Sequence, residues 1–281
     1  MSSVRAVRQR LRARPASDGA GVKIQRIAGR EATAALDPFL MLDEIHSEDG
    51  ADYIGGFPAH PHRGFETVTY LRHGALRHED HLGNVGRLGN GGVQWMTAGR
   101  GIVHAEIPEQ SDGLFHGFQL WLNLPATEKM QAPAYTDYAA GDIPTVGCDA
   151  GSVTVIAGEF LGTVGPVPAR QTRPLLLDVM LAPNATLAIP VDAQLNAALY
   201  LYDGEAGDLR AREMAVYGPG DTVVLTAGAA GARSLLLAGR ALREPVVQHG
   251  PFVMNTQEEI ETAISDYHSG RLVTAADRRS V

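Results

Sequence analysis

Short apolar and β-branched runs, each cut off by glycine, proline or asparagine, recur along almost the whole chain. In the first half they are VKIQRI (residues 22–27), FLMLDE (39–44, opened by Asp37-Pro38), ETVTYL (66–71) and ALRHED (75–80). VQWMT (93–97), IVHAEI (102–107) and FHGFQLWLNL (115–124) follow. Between them Gly74, Gly83-Asn84, LGNGG (88–92) and AGRG (98–101) supply turns. Strands this short, at this spacing, predict an all-β sandwich or barrel. Residues 126–150 hold Pro133 and Pro144 and show no sustained period, so a connection is expected there. The pattern then resumes in residues 153–156, 175–181, 197–202, 222–225 and 234–237, with turns at Asp203-Gly204 and GPGD (218–221). A chain of 281 residues exceeds one typical domain of about 100–200 residues. Two β domains are expected, 1–135 and 136–281. One helix stands out near the end. Thr256 and Glu259 have capping-box spacing, Ile260, Ala263, Ile264 and Tyr267 follow at helical intervals, and Gly270 can close it. That helix is expected to pack on the β scaffold.

Composition narrows the function classes. With 44% hydrophobic and 20% charged residues the chain is globular. A net charge of −8 argues against a general phosphate-backbone binder, so no nucleic-acid partner is expected. The single cysteine, Cys148, excludes an internal disulfide and a zinc site built from several cysteines, and fits a reducing compartment. The arginine-rich first fifteen residues lack the apolar core of about 7–15 residues that a secretory signal needs. An import sequence or a nucleic-acid arm would share that composition, and an exposed or edge-strand terminus is the leading expectation. No run reaches the roughly 18 apolar residues of a membrane helix. The expectation is a cytoplasmic protein without a membrane segment.

Histidines carry the chemistry. Eight of the ten lie between His46 and His116. His60 and His62 stand at i and i+2, and side chains two apart on a strand share a face. His104 and Glu106 repeat that spacing. Two such pairs facing each other would make a His3Glu site. Imidazole and carboxylate donors suit divalent iron, manganese, copper, nickel or zinc. Three neutral histidines and one carboxylate would leave a divalent ion one residual positive charge and, if it is six-coordinate, two positions for water, dioxygen or substrate. Open positions mark a catalytic rather than a structural site. Glu66 lies on the same strand face as His60 and His62, so spacing alone leaves it as a rival or additional ligand. His46 is placed in a loop that could approach the site. His73, His78, His81 and His116 are expected at the surface or around the ligands.

Several blocks resemble the pirin family: DPFLMLDE (37–44), GGFPAHPHRGFETVTY (55–70), VQWMTAGRGIVHAEIP (93–108), FQLWLNLP (118–125) and GPFVMNTQEEI (250–260). They span both halves. The resemblance implies a bicupin, two jelly-roll-type β-barrels with a short C-terminal α-helix. It implies iron(II) in the N-terminal barrel, held by His60, His62, His104 and Glu106, with Glu66 outside the ligand set and no metal in the C-terminal barrel. Manganese, nickel, copper or zinc would suit the same donors. The implied activity resembles quercetin 2,3-dioxygenase, which opens a flavonol ring with dioxygen and releases carbon monoxide. Glu106 would then serve as ligand and as catalytic base. Phe57, Trp95 and Trp121 are candidate walls for a planar aromatic substrate. The competing expectation is a non-enzymatic regulator, whose iron state controls binding to a transcriptional or metabolic protein partner.

Overall fold

A computed structural model of the chain describes residues 3–273. The first half contains β1 (Val7–Arg12), β2 (Arg14–Asp18), β3 (Val22–Ile27), α1 (Arg30–Leu36), β4 (Phe39–Ser47), β5 (Phe57–His62) and β6 (Phe65–His73). It continues with β7 (Leu76–Asp80), β8 (Val85–Leu88), β9 (Gly92–Thr97), β10 (Ile102–Pro108), β11 (Phe115–Asn123) and β12 (Ala134–Tyr138). The second half contains β13 (Thr145–Cys148), β14 (Gly151–Ala157), β15 (Glu159–Phe160), β16 (Thr163–Val164), β17 (Leu175–Leu181), β18 (Thr186–Pro190) and β19 (Asn196–Ala206). β20 (Leu209–Arg210), β21 (Glu213–Tyr217), β22 (Thr222–Gly239), β23 (Val247–His249), β24 (Phe252–Met254) and α2 (Gln257–His268) complete it. Among the described residues no helix is long and apolar enough to cross a membrane.

The chain forms two compact units. One comprises residues 15–26, 39–140 and 243–273; the other comprises 3–14, 27–38 and 141–242. The units therefore differ from a contiguous division at 135/136 at both chain ends. β1 forms the edge of the second-half sheet, with Leu11 opposite Met214 on β21. Residues beyond 242 return to the first-half unit, where Val253 N–H donates to the Arg63 carbonyl at 3.0 Å. Neither exchange leaves a local pattern, because strand pairing is non-local in sequence.

In the first-half unit a seven-stranded sheet runs β12-β9-β6-β11-β4-β3-β2 and a four-stranded sheet runs β5-β10-β7-β8. Val22, Ile24, Ile45, Leu71 and Phe115 of the first pack with Leu76 and Leu88 of the second. Fully burying one such side chain stabilises by about 1.5–3 kcal/mol. The second-half unit has one nine-stranded sheet, ordered β1-β21-β19-β22-β17-β14-β13, with β18 on β22 and β20 on β19. Its core includes Val153, Val155, Leu177, Val179, Leu199 and Leu236.

Several local expectations change. Residues 126–150 are not free of regular structure: β12 pairs with β9 and β13 pairs with β14. Both are sheet edges, where half-exposed polar residues weaken the strand signal. Residues 222–225 and 234–237 belong to one strand, β22, whose middle (AGAAG, 227–231) is too small and plain to read as β. The seven-residue α1 is too short to show a helical period. The C-terminal helix is as expected. Both capping-box bonds form, Glu259 N–H to Thr256 Oγ1 at 3.2 Å and Thr256 N–H to Glu259 Oε2 at 3.0 Å. Its Ile260 and Ala263 are buried with Phe252, Met254 and Leu272.

Candidate metal centre

Strand pairing brings the two histidine-bearing segments together. β5 and β10 are antiparallel, with His104 directly opposite His60 and Ile102 opposite His62. The ring centroids lie 4.7 Å apart for His60–His62, 4.4 Å for His60–His104 and 4.9 Å for His62–His104. Each ring offers a nitrogen, and these three atoms lie within 4.8 Å of one another. His62 and His104 are buried, whereas His60 is partly exposed and marks the open side.

The other ring nitrogens fix the orientation. His60 Nδ1 lies 2.8 Å from the Pro58 carbonyl and His62 Nδ1 3.4 Å from the Pro251 carbonyl. A carbonyl only accepts, so each Nδ1 carries the hydrogen and each Nε2 keeps its lone pair. His104 Nδ1 lies 2.8 Å from His78 Nε2. His104 Nε2 is buried and has no hydrogen-bond partner. Burial, reinforced by the neighbouring imidazoles, pushes His62 and His104 well below the usual histidine range. Both rings are therefore neutral at pH 7, the state in which imidazole binds a metal. An orphaned buried nitrogen beside two oriented imidazoles fits a divalent cation.

Glu106 is held differently. The register of β10 against β5 shifts between His104 and Glu106, and the Glu106 carboxylate is not one of the three-atom group. Its Oε1 lies 3.0 Å from Thr69 Oγ1, and its Oε2 accepts from Gln119 Nε2 at 2.9 Å. The structure thus gathers His60, His62 and His104, while the Glu106 carboxylate is anchored to Thr69 of β6 and Gln119 of β11 outside that group. Glu66 faces Thr97 instead, accepting from its hydroxyl at 2.6 Å. Phe65 and Trp121 meet the His62 ring at centroid distances of 5.1 and 5.5 Å. Phe57, Tyr53, Leu71 and Phe115 line an apolar pocket that reaches Glu106, with free space of about 20 Å³. That is room for one water. Trp95 is buried elsewhere on β9.

The supporting residues Thr69, Gln119 and Pro251 carry no sequence signal of their own. His78 was visible as a histidine near the site, but its contact depends on register, which sets it opposite Glu106 on β7. His78→Leu removes the acceptor that holds the His104 ring. Metal affinity should fall about 10–100-fold, as for loss of other outer partners, and His78→Gln, which keeps an acceptor, should recover part of it. A chelator-competition titration of the purified variants measures this. His46 is not in a loop; it lies on β4, stacked on His116 of β11. Both belong to a different cluster from the three histidines.

The family described as Pirin matches residues 21–122, and the Pirin C-terminal cupin domain matches residues 176–273. A pirin-like protein of Caulobacter vibrioides is 46% identical over 274 residues, covering 95% of this chain and 99% of that one. Pirin of Homo sapiens is 42% identical over 281 residues, covering 96% and 95%. A crystal structure of quercetin 2,3-dioxygenase from Acinetobacter baumannii superposes with a TM-score of 0.89 at 30% identity, covering 97% and 99%.

Proposed function

Because the chain belongs to the pirin family of two-cupin proteins, we propose that it is a metal-dependent dioxygenase that cleaves quercetin or a related flavonol. The observation that carries this reading is the buried, partnerless Nε2 of His104 beside the oriented rings of His60 and His62. His60, His62 and His104, with Glu106, would hold iron(II). Manganese, nickel, copper and zinc suit the same donors. When bound, the ion supplies a Lewis acid and a redox partner for dioxygen.

The protein's own groups do the rest. Glu106 accepts the proton of the flavonol hydroxyl, acting as general base. Thr69 and Gln119 fix its carboxylate, so the base is aimed before substrate arrives. Phe65 and Trp121 pack against His62 and keep water from that side. The less buried side of His60 is the side from which substrate enters.

Turnover of quercetin by anaerobically iron-loaded protein, followed by carbon monoxide release, tests this. Release should exceed that of free iron, and Glu106→Gln should lower kcat by about 10²–10⁴-fold, the usual worth of a general base. An intact metal centre with no turnover above free iron would favour the second reading, a regulator whose iron state governs binding to a transcriptional or metabolic partner. One observation supports that alternative: the enclosed apolar pocket that reaches Glu106 has only about 20 Å³ of free space, too little for a flavonol, so that pocket is no ready-made substrate site.

A further inference from the structure

We propose that Glu44, His46 and His116 form a second metal site, one that takes a divalent transition ion such as zinc, nickel or copper. The three residues offer ligand atoms within 4.8 Å of one another. They are brought together by the same device that builds the first centre, a cross-strand pair plus an i, i+2 pair. His46 on β4 lies directly opposite His116 on β11, and Glu44 precedes His46 by two residues on the same face. Glu44 Oε1 lies 3.1 Å from His116 Nε2 and 3.8 Å from His46 Nδ1. The two rings stack with centroids 4.2 Å apart and planes 10° from parallel.

These distances suit coordination. Ligands bound at about 2.0–2.1 Å from one ion sit about 3 Å apart when adjacent. The Glu44–His116 pair already has that spacing. His46 must close on Glu44 by about 1 Å and also turn out of its stack on His116, because parallel rings cannot aim their in-plane lone pairs at one ion. Its side chain, 41% exposed, has the room to turn. The same exposure gives an ion a way in and leaves room for water to complete its shell. Two imidazoles and one carboxylate favour zinc, nickel or copper over calcium or magnesium, which prefer oxygen donors.

The site is separate from the first centre. Alternate residues of a strand face opposite sides of its sheet. Gln119 of β11 reaches Glu106 of the first centre, and His116, an odd number of residues away, faces the other side. On β4, Ile45 packs in the core between the two sheets, while Glu44 and His46 flank it on the opposite face.

Zinc(II) alone is the probe. Wild-type protein should hold two equivalents at micromolar free zinc, and His60→Ala/His104→Ala should hold one. Adding His46→Ala to that variant should weaken the remaining site by at least the roughly 10–100-fold that loss of a mere outer partner costs. In parallel, cobalt(II) bound to His60→Ala/His104→Ala should show visible ligand-field bands that disappear with His46→Ala. His46 is exposed enough to be replaced without disturbing the fold, and a thermal melt checks this. A His60→Ala/His104→Ala protein that binds no zinc overturns the proposal, leaving the imidazole–carboxylate contact of His116 with Glu44 as the role of the cluster. So does a residual equivalent that survives both His46→Ala and His116→Gln. Two equivalents retained by His60→Ala/His104→Ala would instead count against the first centre.

Discussion

Replacing His104 with alanine should leave a folded protein that no longer binds a divalent metal at the three-histidine centre. His104 sits at the middle of the cluster, opposite His60 and within 4.9 Å of the His62 ring. It contributes the buried Nε2 that lacks any protein partner. Truncation removes one of three converging nitrogens and leaves His78 Nε2 without its own contact. Since disturbing an outer partner alone costs about 10–100-fold in metal affinity, loss of a ligand should cost more than about 100-fold. Iron content after anaerobic loading and desalting reads the effect, and His62→Ala should behave alike. The comparison belongs in a His46→Ala background, so that metal on the Glu44 cluster is not counted. A stoichiometric ion retained there by His60→Ala/His104→Ala would refute the centre.

Ending the chain at Leu242 should unfold the first-half unit. That truncation removes Phe252, Val253, Met254, Ile260 and Leu272, each buried in the unit. At about 1.5–3 kcal/mol per side chain the loss is roughly 10 kcal/mol, comparable to the whole stability of a typical domain at about 5–15 kcal/mol. Polar contacts go with it. Arg63 Nη1 loses Asp266 at 2.9 Å, although its Nε keeps the Arg100 carbonyl at 2.5 Å. Lys129 is buried, which pushes its pKa down to about 8, so it is mostly protonated at pH 7. Its Nζ donates to the Gly64 carbonyl, to Asn123 Oδ1 and to the Val253 carbonyl, three acceptors for three hydrogens. Without Val253 that buried ammonium is one acceptor short, which adds to the cost. Circular dichroism melts of the shortened chain should show loss of the cooperative transition of this unit. A melt matching the full-length protein would contradict the assignment of residues 243–273 to it. The metal centre should fail as well, because the Pro251 carbonyl that orients His62 is deleted.

How far the sequence reached can be argued from individual residues. His60 and His62 were legible because a strand has a period of two, and that period needs no knowledge of partners. The same holds for His104 and Glu106. Capping chemistry is equally local, which is why Thr256 and Glu259 announced α2. Glu66 and Glu106 could not be separated on spacing, since both satisfy it. Register gives them different neighbours: Glu66 falls opposite Thr97 and accepts its hydroxyl, while Glu106 falls two residues past the histidine that faces His60 and is held by Thr69 and Gln119. His46 and His116 looked unrelated at a separation of seventy residues until β4 and β11 paired them.

The sequence by itself thus determined an all-β chain of two halves, the C-terminal helix and the residue types of a metal centre, because alternation, turns and caps are encoded within a few residues. Only the tertiary structure decided which histidines converge, that Pro251 and His78 orient them, that Thr69 and Gln119 hold Glu106, and that each unit is completed by the far end of the chain. Those are outcomes of strand register and of burial between distant segments, and neither is written in any local stretch.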